Sequence, residues 1–359
     1  MAWNGLSGHD ELVERFRESL KQGRLGSTYL FVGPPGVGKH AFALRLAQSL
    51  LCEASEDWRL DPCGKCPGCI QTLAGTHPDL HLVAKDPDRS FIPVAAFIGD
   101  EAHRMREGLC HWIGLKPFRG KRKIAIVDDA DMLNEEGANC LLKTLEEPPP
   151  QSLLILVGTS AEQQLPTIRS RAQIVRFQPL PSETVAELLV RLDLVKDPAE
   201  ARRIAEHSGG SLDAAAQLAD PELWKFRAQL LSRLATDQLD AVKTAKTVAT
   251  FVEEAGKDAP VRRQRARQVV GFAMDFYREL MRRLSGCEAA GDAELRAAAG
   301  RTAESWRGDA EMAAMCLERC LETLAHIDRN ANQATLIDCW FDDLAGIVSG
   351  RNSMARSTS

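Results

Sequence analysis

The stretch GPPGVGK at residues 33–39 decides the fold of this chain, and it directly follows the short apolar run STYLFVG at 27–33. Its three glycines let backbone N–H groups approach a phosphate closely. They are Gly33, Gly36 and Gly38. Lys39 is spaced to reach the β- and γ-phosphates of a nucleotide. A strand, a glycine-rich loop and a helix-forming run in this order predict a phosphate-binding loop, and a glycine-rich turn that binds nothing is the alternative.

The eighth position of the pattern G-x-x-x-x-G-K-[ST] departs from it, because His40 stands where a Ser or Thr hydroxyl holds Mg²⁺. A second apolar run, KIAIVDD at 123–129, predicts a strand that ends in two acids. Asp128 is placed to hold Mg²⁺ through water. The next position normally carries a glutamate that activates water, and Asp129 is one methylene shorter. The alternative is a turn with solvated acids.

The first half of the chain alternates apolar runs with helical patterns, which predicts a parallel α/β sheet covered by helices. A further strand is predicted at 152–160, and the strands stop at about residue 179. Helical patterns follow at 182–192 and 197–210, and a helical bundle is predicted for the remainder. Its predicted core positions are Val269, Phe272, Ala273, Phe276, Leu280, Leu317, Leu321, Leu324, Leu336, Trp340 and Leu344.

The composition is that of a soluble globular protein, with 44% hydrophobic and 26% charged residues. The net charge of −5 gives no global attraction to nucleic acid. The start MAWNGLSGHD has no signal-peptide pattern, and no apolar run reaches the roughly 18 residues of a membrane helix. We therefore expect a cytoplasmic protein with reduced thiols. A local basic loop, KPFRGKRK at 116–123, is either a DNA contact or, more simply, a solvated turn.

Four cysteines predict a metal site. Three of them have the spacing C-x₂-C-x₂-C, and the first lies at the end of the helix after the loop. They are Cys52, Cys63, Cys66 and Cys69. Four thiolates match a closed, structural Zn²⁺ site, and a redox dithiol is the competing interpretation. His77 lies close by, but four sulfurs already fill the shell, so we interpret His77 as structural.

Several motifs occur together in one order along the chain. They are GPPGVGK, the four-cysteine insert, VDDADML, ANCLLKTLEEPPP at 138–150 and the pair Ser170-Arg171. This set resembles the AAA+ subunits of the bacterial replicative clamp loader of DNA polymerase III, over about residues 4 to 350. The resemblance implies an α/β fold: an AAA+ P-loop parallel sheet with an inserted zinc module, then a small helical lid domain and a C-terminal all-α collar domain.

Three departures distinguish the chain from the ATP-hydrolysing gamma/tau subunits of that family. His40 replaces the Mg²⁺-binding hydroxyl, and Asp129 stands where the motor subunit has Glu. Leu212 stands where motor subunits have a sensor arginine for the γ-phosphate. Together they favour the delta-prime type of subunit, with weak or absent binding of ATP and Mg²⁺ and no hydrolysis or polymerase activity of its own. The alternative is a gamma/tau-like motor with its own turnover.

The resemblance also assigns an arginine finger. In the family, the Ser-Arg pair acts in trans on ATP bound to the neighbouring subunit, which here makes Arg171 the finger and Ser170 its companion. The family's next residue is usually Cys, and here it is Ala172. Thr159 aligns with the polar sensor at the end of its strand. A guanidinium can offset charge on the γ-phosphoryl oxygens in the transition state.

The resemblance implies a domain division and a set of partners. The predicted domains are 1–178, with the zinc module at 52–80, then a lid at 179–222, a collar at 223–350 and a disordered tail at 351–359. The implied partners are the gamma/tau and delta subunits and, through the complex, the sliding clamp and primer-template DNA, with no membrane. The implied function is that of a stator that completes a neighbour's ATP site during clamp loading.

Overall fold

A five-stranded parallel sheet forms the centre of the first compact unit, Met1–Gln217, in a computed structural model of the chain. The structure describes residues 3, 5–86, 89, 91–119, 121–236, 238–329 and 331–350. The strand order is β2-β3-β4-β1-β5, and every pair of neighbours is parallel. The strands are β1 (Thr28–Val32), β2 (Leu80–Val83), β3 (Lys123–Val127), β4 (Ser152–Val157) and β5 (Gln173–Arg176).

The three central strands are buried on both faces, as their continuous apolar sequences require. One face packs through Phe31, Ile124 and Ile155 onto the helix that follows the glycine-rich loop. The other face packs through Leu30 and Leu154 onto a separate apolar cluster. Helices therefore cover both faces of the sheet, and the expected α/β class is confirmed.

The two helices predicted at 182–192 and 197–210 begin and end close to those limits. The helix over 198–207 has Asp197 as its N-cap, and the side chain accepts a hydrogen bond from the N–H of Ala199. Gly209 follows the helix at φ 59°, which suits its C-terminal cap. The helices are α1 (Asp10–Lys21), α2 (Lys39–Leu50), α3 (Pro67–Leu73), α4 (Ala95–Ile98), α5 (Leu109–Ile113), α6 (Glu135–Glu146), α7 (Pro166–Arg169), α8 (Ser182–Arg191), α9 (Pro198–His207) and α10 (Leu212–Leu218).

The second compact unit, Leu218–Ser359, is all-helical in its described residues. Its long helix packs against two others of the unit through the predicted stripe, whose members from Val269 to Leu280 are all buried. The helices are α11 (Pro221–Leu234), α12 (Ala241–Glu253), α13 (Ala259–Leu284), α14 (Ala293–Ser305), α15 (Ala310–Asp328) and α16 (Gln333–Val348). Among the described residues, no helix has the length and apolar character needed to cross a bilayer.

The predicted buried face of α15 is wrong. Leu321 is 51% exposed, and Leu317 and Leu324 are only partly buried. The buried face instead carries smaller side chains, Cys316 and Cys320 among them. Small residues let α15 approach α13 closely, so the contact between the two helices does not use the leucines.

The strand β2 was not predicted. It is short, contains His81 between two leucines, and lies at an edge of the sheet, where Leu82 is 39% exposed. The compact division at 217/218 assigns most of the predicted lid to the first unit. The separate lid at 179–222 and the collar at 223–350 stay predictions, and the tail at 351–359 lies outside the described residues.

Candidate functional site

A cavity of about 660 Å³ lies at the carboxyl ends of the central strands, where open α/β sheets bind ligands. The phosphate-type loop follows β1, the acid pair follows β3, and Thr159 follows β4. The predicted residues that line the cavity are Gly36, Gly38, Lys39, His40, Asp128, Asp129 and Thr159. The fold therefore gathers side chains that are up to about 120 positions apart in the sequence, as a shared sheet edge predicts.

The loop has the backbone shape that its glycines predict. Gly36 has φ 71° and Gly38 has φ 93°, both in the left-handed region that favours glycine. A Cβ added at Gly36 would lie 3.0 Å from the N of Asp213, and the N–H of Leu212 donates to the Gly36 carbonyl at 2.9 Å. The segment that begins α10 thus closes over the loop.

Lys39 is buried, and its ammonium group is satisfied by the loop itself. Nζ donates to the carbonyl oxygens of Gly33 and Pro34, each at 2.6 Å. Burial lowers the pKa of Lys39, while the nearby carboxylates of Asp131, Asp128 and Asp213 oppose this shift. The charge that would meet a phosphate therefore lies inside the cavity beside three acids.

His40 and Asp128 form an ion pair where the family pattern places a hydroxyl, a metal ion and an acid. His40 Nδ1 lies 2.8 Å from Asp128 Oδ2. The hydrogen bond to Asp128 raises the pKa of His40, although burial opposes it. Burial also acts to raise the pKa of Asp128, but the bond to His40 and its charge lower that pKa overall. The carboxylate that would hold Mg²⁺ is thus engaged by a side chain of the loop.

The second acid, Asp129, has an unusual backbone conformation. Asp129 has φ 52°, in the left-handed region, and its N–H donates to Asp128 Oδ1 at 3.0 Å. Partial burial and the charge of Asp128 raise the pKa of Asp129. The side chain still lines the cavity.

Asp131 is a site residue that the sequence analysis missed. Its carboxylate accepts a hydrogen bond from the N–H of Thr159 at 2.5 Å and another from Gln164 Nε2 at 2.8 Å. It thereby fixes the end of β4, where Thr159 Oγ1 donates to Gln163 Oε1 at 3.1 Å. The only available sequence signal was its position three residues after Asp128. Leu212, at the predicted sensor position, lines the cavity with an apolar side chain.

Arg171 lies just after α7 and is exposed, and it is not among the residues that line the cavity. Its Nη2 donates to Glu146 Oε1 at 2.7 Å. Its Nη1 donates to the carbonyl of Thr167 at 3.0 Å and lies 3.1 Å from Ser170 Oγ. The predicted finger is therefore held at the surface by its own subunit, away from the loop that precedes α2.

The four predicted cysteines come together. Their sulfurs all lie within 4.8 Å of one another, with Cys52 Sγ 3.9 Å from Cys66 Sγ and Cys63 Sγ 4.0 Å from Cys69 Sγ. A tetrahedral Zn²⁺ with Zn–S bonds of about 2.3 Å requires sulfurs about 3.8 Å apart. The cluster could therefore bind a metal ion such as Zn²⁺.

Backbone N–H groups favour the thiolate form of one of the four cysteines, Cys63. The N–H groups of Lys65 and Cys66 donate to Cys63 Sγ and lower the pKa of Cys63 to about 6. Burial raises the pKa of Cys69. His77 is buried, and its Nδ1 accepts a hydrogen bond from the N–H of Asp79 at 3.0 Å, which fits the structural role expected for it.

Several cations of the basic loop at 116–123 form ion pairs with nearby acids. Asp57 pairs with Lys121 at 2.8 Å and with Arg122 at 3.1 Å. Lys123 is buried, lies 3.5 Å from Asp79 and sits over the ring of Trp112. In the described part of the loop, Lys116 and Arg119 are the cations with no carboxylate partner. This pairing favours the solvated-turn interpretation over a DNA contact.

The parallel sheet, the loop at the end of β1 and the acids at the end of β3 define an AAA+ P-loop fold. The comparisons with known proteins agree with this class. A family model described as DNA polymerase III, delta subunit, matches residues 8–181. The match supports the expected resemblance to DNA polymerase III subunits over this part of the chain.

Individual relatives of both subunit types are similar to the chain. A DNA polymerase III subunit delta' of Bacillus subtilis is 32% identical over 213 residues, 59% of this chain and 60% of that protein. The subunit delta' of Escherichia coli is 32% identical over 224 residues, 62% and 63% of the two chains. A subunit gamma/tau of Mycobacterium tuberculosis is 32% identical over 210 residues, 57% and 34% of the two chains. The chain thus spans less than two thirds of the length of these relatives.

Proposed function

We propose that the chain is a delta-prime-type stator of the DNA polymerase III clamp loader. In this role it joins gamma/tau-type ATPase subunits and a delta-type subunit through its helical second unit. It supplies Arg171 to ATP bound on its neighbour during ATP-dependent loading of the sliding clamp onto primed DNA. The match of residues 8–181 to the delta family and the identity to two delta-prime subunits support this assignment.

The ion pair between His40 and Asp128 is the observation that carries the proposal. An ATPase of this class needs a hydroxyl and an acid that coordinate Mg²⁺ between the β- and γ-phosphates. Here the hydroxyl is replaced by an imidazole, and the acid is bonded to that imidazole at 2.8 Å. Mg²⁺ would have to break this pair, so metal-dependent hydrolysis in this cavity is disfavoured.

The position of Arg171 supports the second half of the proposal. The side chain is exposed on a surface outside the cavity, and the short helix before it is fixed by the buried Ile168. An arginine finger in trans needs a guanidinium on a rigid element that faces a neighbour rather than its own phosphate loop. Such a finger can contribute about 10³–10⁵ in rate.

A structural Zn²⁺ completes the proposal for the first unit. The ligands are Cys52, Cys63, Cys66 and Cys69, whose spacing fits tetrahedral sulfur coordination. When bound, the ion crosslinks the end of α2 to the segment before α3 and adds no reaction step. The chain's own backbone N–H groups at 65 and 66 hold Cys63 in the form that a metal binds.

Steady-state ATP hydrolysis tests the proposal. A purified gamma/tau-type subunit is assayed with its delta-type partner, clamp and primed DNA, with and without this chain. We expect the chain alone to have no turnover and the complete mixture to hydrolyse ATP far faster than the mixture that lacks it. Turnover by the chain alone, or a rate that does not respond to its addition, contradicts the proposal.

A gamma/tau-like motor is the second candidate, because the cavity remains open at about 660 Å³ and keeps Lys39. The two candidates are separated by calorimetric titration with ATP and Mg²⁺, with Lys39→Ala as the matched variant. Micromolar binding that needs Mg²⁺ and is lost in the variant, together with turnover, favours the motor. Undetectable binding in both proteins favours the stator.

A further inference from the structure

We infer that Glu146 is a positioning residue for Arg171, which it holds ready for the neighbour's ATP. This inference rests on the proposed function, and it deepens it by naming the residue through which the LEEPPP segment at 145–150 acts. Glu146 is 25 positions from Arg171 in the sequence, and its carboxylate accepts a hydrogen bond from the guanidinium at 2.7 Å.

The carboxylate is held by a rigid element. Glu146 is the last residue of α6, and the preceding Leu145 and the Leu141 of the previous turn are both buried. Pro148, Pro149 and Pro150 follow and restrict the backbone beyond the helix. α6 also packs against α7, the short helix that precedes Arg171. The acid is therefore fixed relative to the segment it serves.

The contacts hold Arg171 without using all of its donors. A guanidinium has five N–H donors in a planar fork. Nη1 is engaged by Thr167 and Ser170, and Nη2 donates to Glu146. Among the described residues, no acceptor is found for Nε. The side chain can thus keep its hold on Glu146 and still offer donors to a phosphate oxygen.

Pre-ordering the finger affects the rate rather than the affinity for ATP. A free arginine at a surface loses rotamer entropy when it engages a phosphate, and a side chain that is already fixed loses less. The ATP itself is bound by the neighbour, so its KM depends on residues of that subunit. Removal of Glu146 is therefore expected to lower kcat and leave KM for ATP almost unchanged.

The test uses the complete clamp-loader assembly with the full chain. We expect Glu146→Ala to lower kcat of the assembly about tenfold, and Glu146→Gln to retain part of the rate because an amide oxygen still accepts a hydrogen bond. The matched control is Glu147→Ala, which removes the adjacent exposed acid. Sedimentation shows whether each variant assembles. If Glu146→Ala does not assemble, the kcat of the near-isosteric Glu146→Gln tests the positioning role instead.

A double substitution tests whether Glu146 acts only through Arg171. If Glu146 acts only through Arg171, the protein with both Glu146→Ala and Arg171→Ala is no slower than Arg171→Ala alone. Overturning results are a kcat for Glu146→Ala equal to or above that of the control, or a double variant slower than Arg171→Ala. If Arg171→Ala itself leaves kcat unchanged, the proposed finger fails and the positioning role fails with it.

Discussion

At the scale of single residues, one substitution in the phosphate loop changes what the neighbouring acid can do. A hydroxyl at position 40 would leave Asp128 free to hold a metal ion through water. The imidazole that stands there reaches the carboxylate at 2.8 Å, and each partner stabilises the charged form of the other. The loop keeps its backbone shape, while the acid that the pattern assigns to Mg²⁺ is paired with an imidazole.

Replacement of His40 by serine is predicted to restore part of the metal site. His40→Ser frees Asp128 and supplies the missing hydroxyl, so we expect binding of ATP with Mg²⁺ to tighten by about tenfold or more. Calorimetric titration with and without Mg²⁺ measures this affinity for ATP. The matched control is His103→Ser, because His103 pairs with Asp100 at 2.9 Å on an exposed segment. Equal affinities for the variant and the parent protein, or a gain that needs no Mg²⁺, would refute this account of the site.

Residue types predicted the chemistry of the site better than they predicted its contacts. The glycines, Lys39 and the acid pair follow from the loop pattern and from the rule that parallel strands share an edge. The bond between His40 and Asp128 joins positions 88 apart, and no local pattern encodes it. Asp131 and Glu146 were missed for the same reason, because each carboxylate meets its partner only after β3, α6 and α7 have packed.

At the scale of elements, the four-cysteine segment combines short turns with few buried apolar residues. Ile70 and Leu73 of α3 are 56% and 48% exposed, so this helix contributes little to a core of its own. A bound metal can supply the missing stability, because its binding energy becomes folding energy.

Metal analysis of the purified chain is predicted to give one Zn²⁺ per molecule. Cys69→Ser removes a buried ligand and should abolish retention of the ion, while Cys287→Ser, an exposed cysteine of the second unit, should leave it unchanged. A strong chelator should lower the thermal midpoint of the parent protein by several degrees. If the purified chain contains no metal, and its thermal midpoint does not respond to chelator or to added Zn²⁺, the dithiol interpretation is favoured instead.

Elements with continuous apolar sequences were predictable, and elements that depend on neighbours were not. β1, β3 and β4 are buried on both faces and are visible in the sequence as apolar runs. β2 is stabilised by one neighbouring strand and was missed. On α15 the leucines suggested the buried face, but the close approach of α13 selected the cysteines and alanines, because small side chains rather than large ones permit it.

At the scale of the whole molecule, a buried arginine joins two helices of the second unit. Arg227 of α11 is 1% exposed, and its guanidinium pairs with Asp292 at 2.6 Å and with Glu294 at 3.1 Å. These two acids stand at the start of α14, so the pair joins two helices that are far apart in the sequence.

Arg227→Ala is predicted to lower the free energy of unfolding of the chain by about 2–3 kcal/mol, because it removes hydrogen bonds to two partly exposed acids and the packing of a buried side chain. The measurement is urea denaturation followed by circular dichroism. Lys225→Ala, on the same helix, removes a side chain that is 71% exposed and should change the free energy of unfolding by less than about 0.5 kcal/mol. Similar midpoints for the two variants would contradict a structural role for the buried pair.

The central claim is that the chain does its chemistry on a neighbour, and single-turnover ATP hydrolysis by the complete clamp-loader assembly tests it most directly. The compared assemblies carry the parent chain, Arg171→Ala, or the control Arg169→Ala, which removes an exposed arginine at the end of α7. We predict that Arg171→Ala lowers the hydrolysis rate at the adjoining site by about 10³-fold or more, while Arg169→Ala does not. Equal rates for the parent and Arg171→Ala assemblies would contradict the claim.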